Sequence, residues 1–178
     1  QISNLFFSAS DLSIDAKLFF KENGDLKKMI CSSLIVQDWL DVFLEVSNNN
    51  ENDLSVKILG GNLDLNKIIS NNKAEFFNYP IFVELDNLTI SDDIILNNLT
   101  ADLFLGKADV GNFTAKLNNG PWIGGVLNSS ENGVAIKIES DDAGEVLRSS
   151  GMFENARNGE LSLYLIPSGT EGHYDGEL

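Results

Sequence analysis

Apolar and polar residues alternate along most of this chain. Leu12, Ile14, Ala16 and Leu18 interleave with Ser13, Asp15 and Lys17, the period of two expected of a strand buried on one side. Phe19 and Phe20 then fill both faces. The same pattern recurs in Leu40, Val42, Leu44 and Val46, in Leu54, Val56 and Ile58, and in Ile81, Val83 and Leu85. It returns in Leu99, Ala101, Leu103 and Leu105, then Val134, Ile136 and Ile138, then Leu161, Leu163 and Leu165. About ten strands are predicted, each with one apolar face.

Asn23-Gly24, Asn119-Gly120, Asn132-Gly133 and Asn158-Gly159 accept the positive φ of tight hairpins, so consecutive strands are predicted to pair antiparallel. Two short helices interrupt them. Over 142–150, Asp142 can cap Glu145 while Glu145 reaches back, Ala143, Val146 and Leu147 form a stripe, and Gly151 supplies a left-handed exit. A weaker helix starts from Asp64 as cap and runs through Leu65, Ile68 and Ile69. Asn48 to Asp53 reads as a polar turn tip, and 70–79 as a connection to a strand beginning at Pro80.

Too little helix is predicted to cover so many apolar strand faces. Pattern alone points first to a closed sandwich or barrel whose faces bury each other. The alternative, which is the reading adopted, is an open, twisted or curved all-β sheet, mainly antiparallel, with one or two short helices at its end or edge and an apolar face free for acyl chains. On that reading Leu12, Ile14, Leu18, Leu99, Leu103, Leu161 and Leu163 are the candidate lipid-facing residues, although each also reads as ordinary core.

Composition narrows the partners. The 178 residues are 43% hydrophobic and 22% charged, which fits a single domain able to bury a core without disulfide or metal. Twelve Lys and Arg against 27 Asp and Glu give a net charge of −15. That charge repels nucleic-acid phosphates and anionic lipid headgroups, so nucleic acid is not an expected partner. Cys31 is the only cysteine and reads as a small buried residue. No apolar run approaches the roughly 20 residues that span a bilayer, and no signal peptide opens the chain. The chain reads as a fragment of a longer protein.

Candidate chemistry is sparse. The single histidine, His173, lies in a turn-rich stretch and reads as a solvated residue opening the last strand. Asp92-Asp93 and Asp141-Asp142 lack the alternating ligand spacing of a calcium loop. Gly60-Gly61 and Gly124-Gly125 lack a nucleotide-loop context and read as strand breaks or bulges. No catalytic residue, metal or cofactor is predicted, and the sequence reads as non-enzymatic.

The stretch from Asp141-Asp142-Ala143-Gly144-Glu145-Val146-Leu147 to Gly151, followed by Gly159-Glu160-Leu161, resembles the Asp-Ala-Gly, Leu-Leu, Gly, then Gly-Gly-x-Leu signature of AsmA-like proteins. Gly60-Gly61-Asn62-Leu63-Asp64-Leu65 is similar to the Gly-x-x-Leu-Asp-Leu element of the YhdP-like branch of that family. In this signature Leu63, Asp64, Leu65, Asp142, Ala143, Gly144, Leu147, Gly151 and Gly159 look structural. Asn158 stands where the family pattern has a second glycine before the Gly-x-Leu strand, and 1–59 match in pattern only.

The resemblance implies a much larger parent, anchored in the bacterial inner membrane and crossing the periplasm as a β-groove. It further implies movement of phospholipid, or another acyl-chain lipid, to the outer membrane in cell-envelope biogenesis. The partners would be lipid and neighbouring segments of the parent chain. A rival expectation is a structural or adhesive β-sandwich that binds a protein along an edge strand.

Overall fold

The computed structural model describes residues 2–48, 54–69, 79–105, 110–170 and 173–177. Among these, twelve strands form one sheet in strict sequence order. They are β1 (Ile2–Ser8), β2 (Leu12–Phe20), β3 (Leu26–Val36), β4 (Leu40–Asn48), β5 (Leu54–Asp64), β6 (Tyr79–Ser91), β7 (Ile94–Leu105), β8 (Val110–Leu117), β9 (Trp122–Ser130), β10 (Gly133–Ser140), β11 (Leu161–Pro167) and β12 (Tyr174–Glu177). Helix α1 (Leu65–Ile69) follows β5 and α2 (Ala143–Ser149) follows β10.

β1 and β12 are the two edges and do not pair with each other, so the sheet is open rather than closed into the sandwich or barrel that pattern alone favoured. The physical reason lies in the connections. Short connections lay most strands beside their predecessors, and the two longer ones, which contain α1 and α2, also lead to the next position in the same sheet. The surface area agrees. The molecule exposes 11637 Å², against roughly 8,500 Å² for a compact protein of this mass.

Two further expectations are corrected. Twelve strands replace about ten. One neighbouring pair, β5 and β6, is parallel, from Val56 opposite Ile81 to Asp64 opposite Thr89. Every other neighbour is antiparallel, as the turn residues require. The connection after β5 starts in α1 and returns to the opposite end before β6 begins, at Tyr79 rather than Pro80. The exception arises from this crossover, which no local alternation encodes.

An extra residue is inserted at one level in three adjacent strands. Between Phe43 opposite Leu59 and Asp41 opposite Asn62, β5 has one more residue than β4, at Gly60-Gly61. Between Asn97 opposite Lys116 and Thr100 opposite Thr114, β7 has one more than β8. At this level β5, β6 and β7 stay in step with one another. Gly60, Gly61 and Asn98 take positive φ there, so the glycine pair marks a bulge inside a strand, one of its two expected roles. β3 carries its own bulge at Ser32-Ser33.

The buried core follows the same end of the sheet. Val42, Leu85, Leu99, Ala115, Leu117, Ile123 and Leu161 join Val146 of α2 in one cluster. The register places both helices at this end, where β5 and β10 finish. α2 is capped by Asp142, whose side chain accepts the Glu145 N–H at 2.8 Å. The reciprocal half of the expected capping box is absent: the Asp142 N–H goes to Ser140 Oγ instead. The helix is one residue shorter at each end than predicted, and Gly151 exits at φ 73° as expected.

Candidate functional site

Side chains paired across a ladder share a face, so the register assigns the whole sheet. One row runs Leu5, Ala16, Cys31, Leu44, Ile58, Val83, Ala101, Phe113, Gly125, Ile138 and Leu163, one residue from each of β1 to β11. It contains no polar side chain. The next row on the same face, toward the helix-free end, runs Ser3, Leu18, Met29, Val46, Val56, Ile81, Leu103, Gly111, Leu127, Ile136, Leu165 and Gly176. Only Ser3 interrupts it. Twelve strands about 4.8 Å apart make each row roughly 50 Å long.

The opposite face contrasts with this. Its intervening row, which includes Lys17, Glu45, Lys57, Asp102, Lys137 and Tyr164, mixes both charges with scattered apolar residues. Lys28 and Glu45 pair at 3.0 Å, and Lys137 bonds Glu139 and lies 5.4 Å from the Tyr164 ring centre. These contacts, Glu139 foremost and Tyr164 next, hold the Lys137 ammonium above the usual lysine range. One face is solvated and the other is dry.

The dry face closes toward one end only. In the inner row Ala16, Cys31, Val83 and Ala101 are buried, as is Gly125. The outer row is half-buried from Leu18 to Leu165. α2 closes part of the inner end, since Val146 and Ala143 pack into the cluster that holds Val83 and Ala101, whereas Ala16 and Cys31 lie outside that cluster, and nothing comparable covers the outer end among the described residues.

The seven candidate lipid-facing leucines and isoleucine all lie on the dry face but not in one environment. Leu18 and Leu103 occupy the outer row, Leu163 the inner row, and all three are half-buried. Leu12 and Ile14, opposite Val36 and Leu34, are also half-buried. Leu99 and Leu161 are each only 5% exposed and belong to the core beneath α2. Register adds Met29, Val46, Val56, Leu127, Ile136 and Leu165 to the accessible row.

The motif residues build the covered end. Leu63 packs against the core opposite Leu40. Asp64 Oδ1 accepts the Asn66 N–H at 2.9 Å, and Leu65 opens α1. Ala143 and Gly144 donate to the Gly159 and Asn158 carbonyls, while Leu147 accepts from both Met152 and Phe153. Gly144 is buried so closely that a Cβ would lie 2.5 Å from Arg157 Cα. Asn158 itself takes φ 58°, a conformation asparagine tolerates nearly as glycine does. Asn158-Gly159 is therefore the seat of α2 rather than a hairpin turn.

Polar order at this end comes from residues the alternation did not single out. Asn87 donates to Asn62 Oδ1, Asn97 donates to Asn87 Oδ1, and Asn97 Oδ1 accepts the Asn119 N–H at 2.6 Å. This ladder follows the bulge across β5, β6 and β7. Asn118 ties the β6–β7 hairpin to α2 by donating to the Asp93 and Ser149 carbonyls and accepting from the Ile95 N–H. Asparagines recurring at one level on successive strands would have been the sequence signal, but seeing it requires the register.

Lys67 of α1 binds Asp38 in the β3–β4 turn at 2.7 Å. That bond holds the Asp38 carboxyl below the usual aspartate range and the Lys67 ammonium above the usual lysine range. His173 is exposed beside the start of β12, with its main chain in a turn with Ser168 and Thr170. Cys31 is buried and its thiol points to the Ser33 carbonyl at 3.1 Å. No family model, curated protein or solved structure matches the chain.

Proposed function

We propose that this chain is a non-enzymatic, AsmA-like segment that holds the acyl chains of phospholipid on its dry face. The observation that carries the reading is the half-buried outer row, apolar on all but one of twelve strands and backed by a solvated opposite face. Each methylene laid on such a surface and removed from water contributes up to about 0.8 kcal/mol, so a partly covered acyl chain binds without headgroup contacts. Binding is therefore headgroup-tolerant, and the −15 charge disfavours docking by basic residues on anionic membrane. In the same reading the parent is anchored in the inner membrane, and neighbouring segments extend the dry face through the periplasm toward the outer membrane.

The test is native mass spectrometry of gently purified protein, with organic extraction to identify co-purified lipid. Phospholipid should be retained by the natural chain and by Val126→Asp, which adds a charge to the opposite face. Leu18→Asp and Leu103→Asp should lose it while keeping the same circular dichroism. A lipid-free protein that also fails to take up a fluorescent fatty acid would sink the proposal.

A further inference from the structure

The solvated face has no part in that reading, yet it carries a recess of its own. Gly124 of β9 lies opposite Thr114 of β8 and Glu139 of β10. Lacking a side chain, it leaves a dent between them, where a Cβ would meet only the Phe113 carbonyl oxygen, at 3.9 Å. Two residues back on the same face, Trp122 is 55% exposed. With Ser140 and Asp141 at the end of β10 it walls a cavity of about 420 Å³ over that dent. Small-ligand sites commonly measure roughly 300–1,000 Å³.

The wall is fixed within the chain. Ser140 Oγ donates to the Trp122 carbonyl at 2.8 Å and accepts the Asp142 N–H, which ties this end of β9 to the entry of α2. The Lys116 ammonium sits 5.4 Å from the centre of the Trp122 ring and does not line the cavity.

We propose that this recess binds a neutral saccharide of one or two rings, stacked on Trp122. The chemistry of the walls selects that class. An indole face is electron-rich and takes the polarised C–H bonds of a pyranose as it takes the positive edge of another aromatic ring. Glu139 and Asp141 accept hydrogen bonds, and sugar hydroxyls donate them. Glu139 Oε1 is held by Lys137, which leaves Oε2 and the Asp141 carboxylate for the ligand. An anionic ligand would meet two carboxylates and a net charge of −15. A cationic one gains less, because Lys116 already lies against the ring. An acyl chain would bury carboxylates against hydrocarbon. The recess is open to solvent, so a single saccharide unit binds weakly, at about millimolar concentration.

The test is a titration of the natural chain with maltose, cellobiose, lactose and N,N′-diacetylchitobiose to tens of millimolar, followed by tryptophan emission. A saturable blue shift with at least one of them is expected. Trp122→Phe should abolish the shift, which assigns it to Trp122 rather than to Trp39, the other tryptophan. Gly124→Val, which fills the dent, should remove binding. The double variant Glu139→Gln, Asp141→Asn should weaken it about tenfold. All three should still take up a fluorescent fatty acid on the dry face as the natural chain does, so this proposal and the lipid reading fail separately. No saturable shift with any of the four sugars would overturn the proposal. So would a shift that survives Trp122→Phe, one indifferent to both the Gly124 and the carboxylate variants, or a stronger response to choline chloride, which would make the recess a cation site.

Discussion

A Cβ on Gly61 would lie 1.8 Å from the Asp41 carbonyl oxygen, and the residue sits at φ 67°. Gly61→Ala should therefore cost at least about 2–3 kcal/mol. Gly24→Ala, at φ 91° with open space around it, should cost about 1 kcal/mol from backbone conformation alone. Urea unfolding of the two variants separates crowding from φ. Asn97→Leu keeps the volume but strips the ladder of its middle member. It leaves the Asn119 N–H and Asn87 Oδ1 without their partners and should cost about 1–3 kcal/mol. The glycine pair was legible as a break or bulge because glycine tolerates positive φ. The asparagines were not, because each looks like an ordinary polar residue until the register stacks them.

At the scale of elements, α2 closes the part of the dry face that its own cluster reaches. Asp142→Ala removes the cap at Glu145 and should destabilise the helix by about 1 kcal/mol. Gly144→Ala drives a Cβ into the Arg157–Asn158 backbone and should lift the helix from its seat. If α2 is the cover, Gly144→Ala binds more of an apolar dye such as ANS than the natural chain under native conditions. Unchanged dye binding would remove that role. α1 is tethered differently, by the exposed Asp38–Lys67 pair. Because the Asp38 value is lowered, what the pair adds is present above the ordinary aspartate range and is lost as pH falls through the lowered value. Because the Lys67 value is raised, the same contribution is lost only as pH rises through the raised lysine value. Both groups are solvent-exposed and screened, so Asp38→Asn should leave the midpoint unchanged at physiological salt. Helix positions were legible from caps and stripes. β3 was less so, since its Ser32-Ser33 bulge throws the alternation out of phase, and β8 and β9 hide apolar positions in Gly111 and Gly125. Phe113 lies across from Gly125, where a Cβ would stand 2.1 Å from its ring, so the aromatic fills what the glycine leaves empty.

Over the whole molecule, the all-β class and its dominant pairing followed from period-two patterning and turn residues, whereas openness did not. A strand pattern records that one face is apolar and is silent on whether another sheet lies against it. The charge imbalance also acts at this scale. With 27 acids against 12 bases, raising salt from low to physiological strength should raise the thermal midpoint by screening self-repulsion. Strict sequence order carries a further consequence, for each strand is held chiefly by the two beside it. The sheet therefore behaves as a linear array of coupled units, in which stability is a running sum of neighbour terms and is smallest at the two ends. Amide protons of β1 and β12 should exchange fastest and those of β6 to β9 slowest, in a smooth gradient rather than one cooperative block. Nine of the eleven junctions close through short connections, and β10 to β11 closes around α2. The eleventh, β5 to β6, must wait for a crossover and is the step at which such an array would stall or split while it assembles.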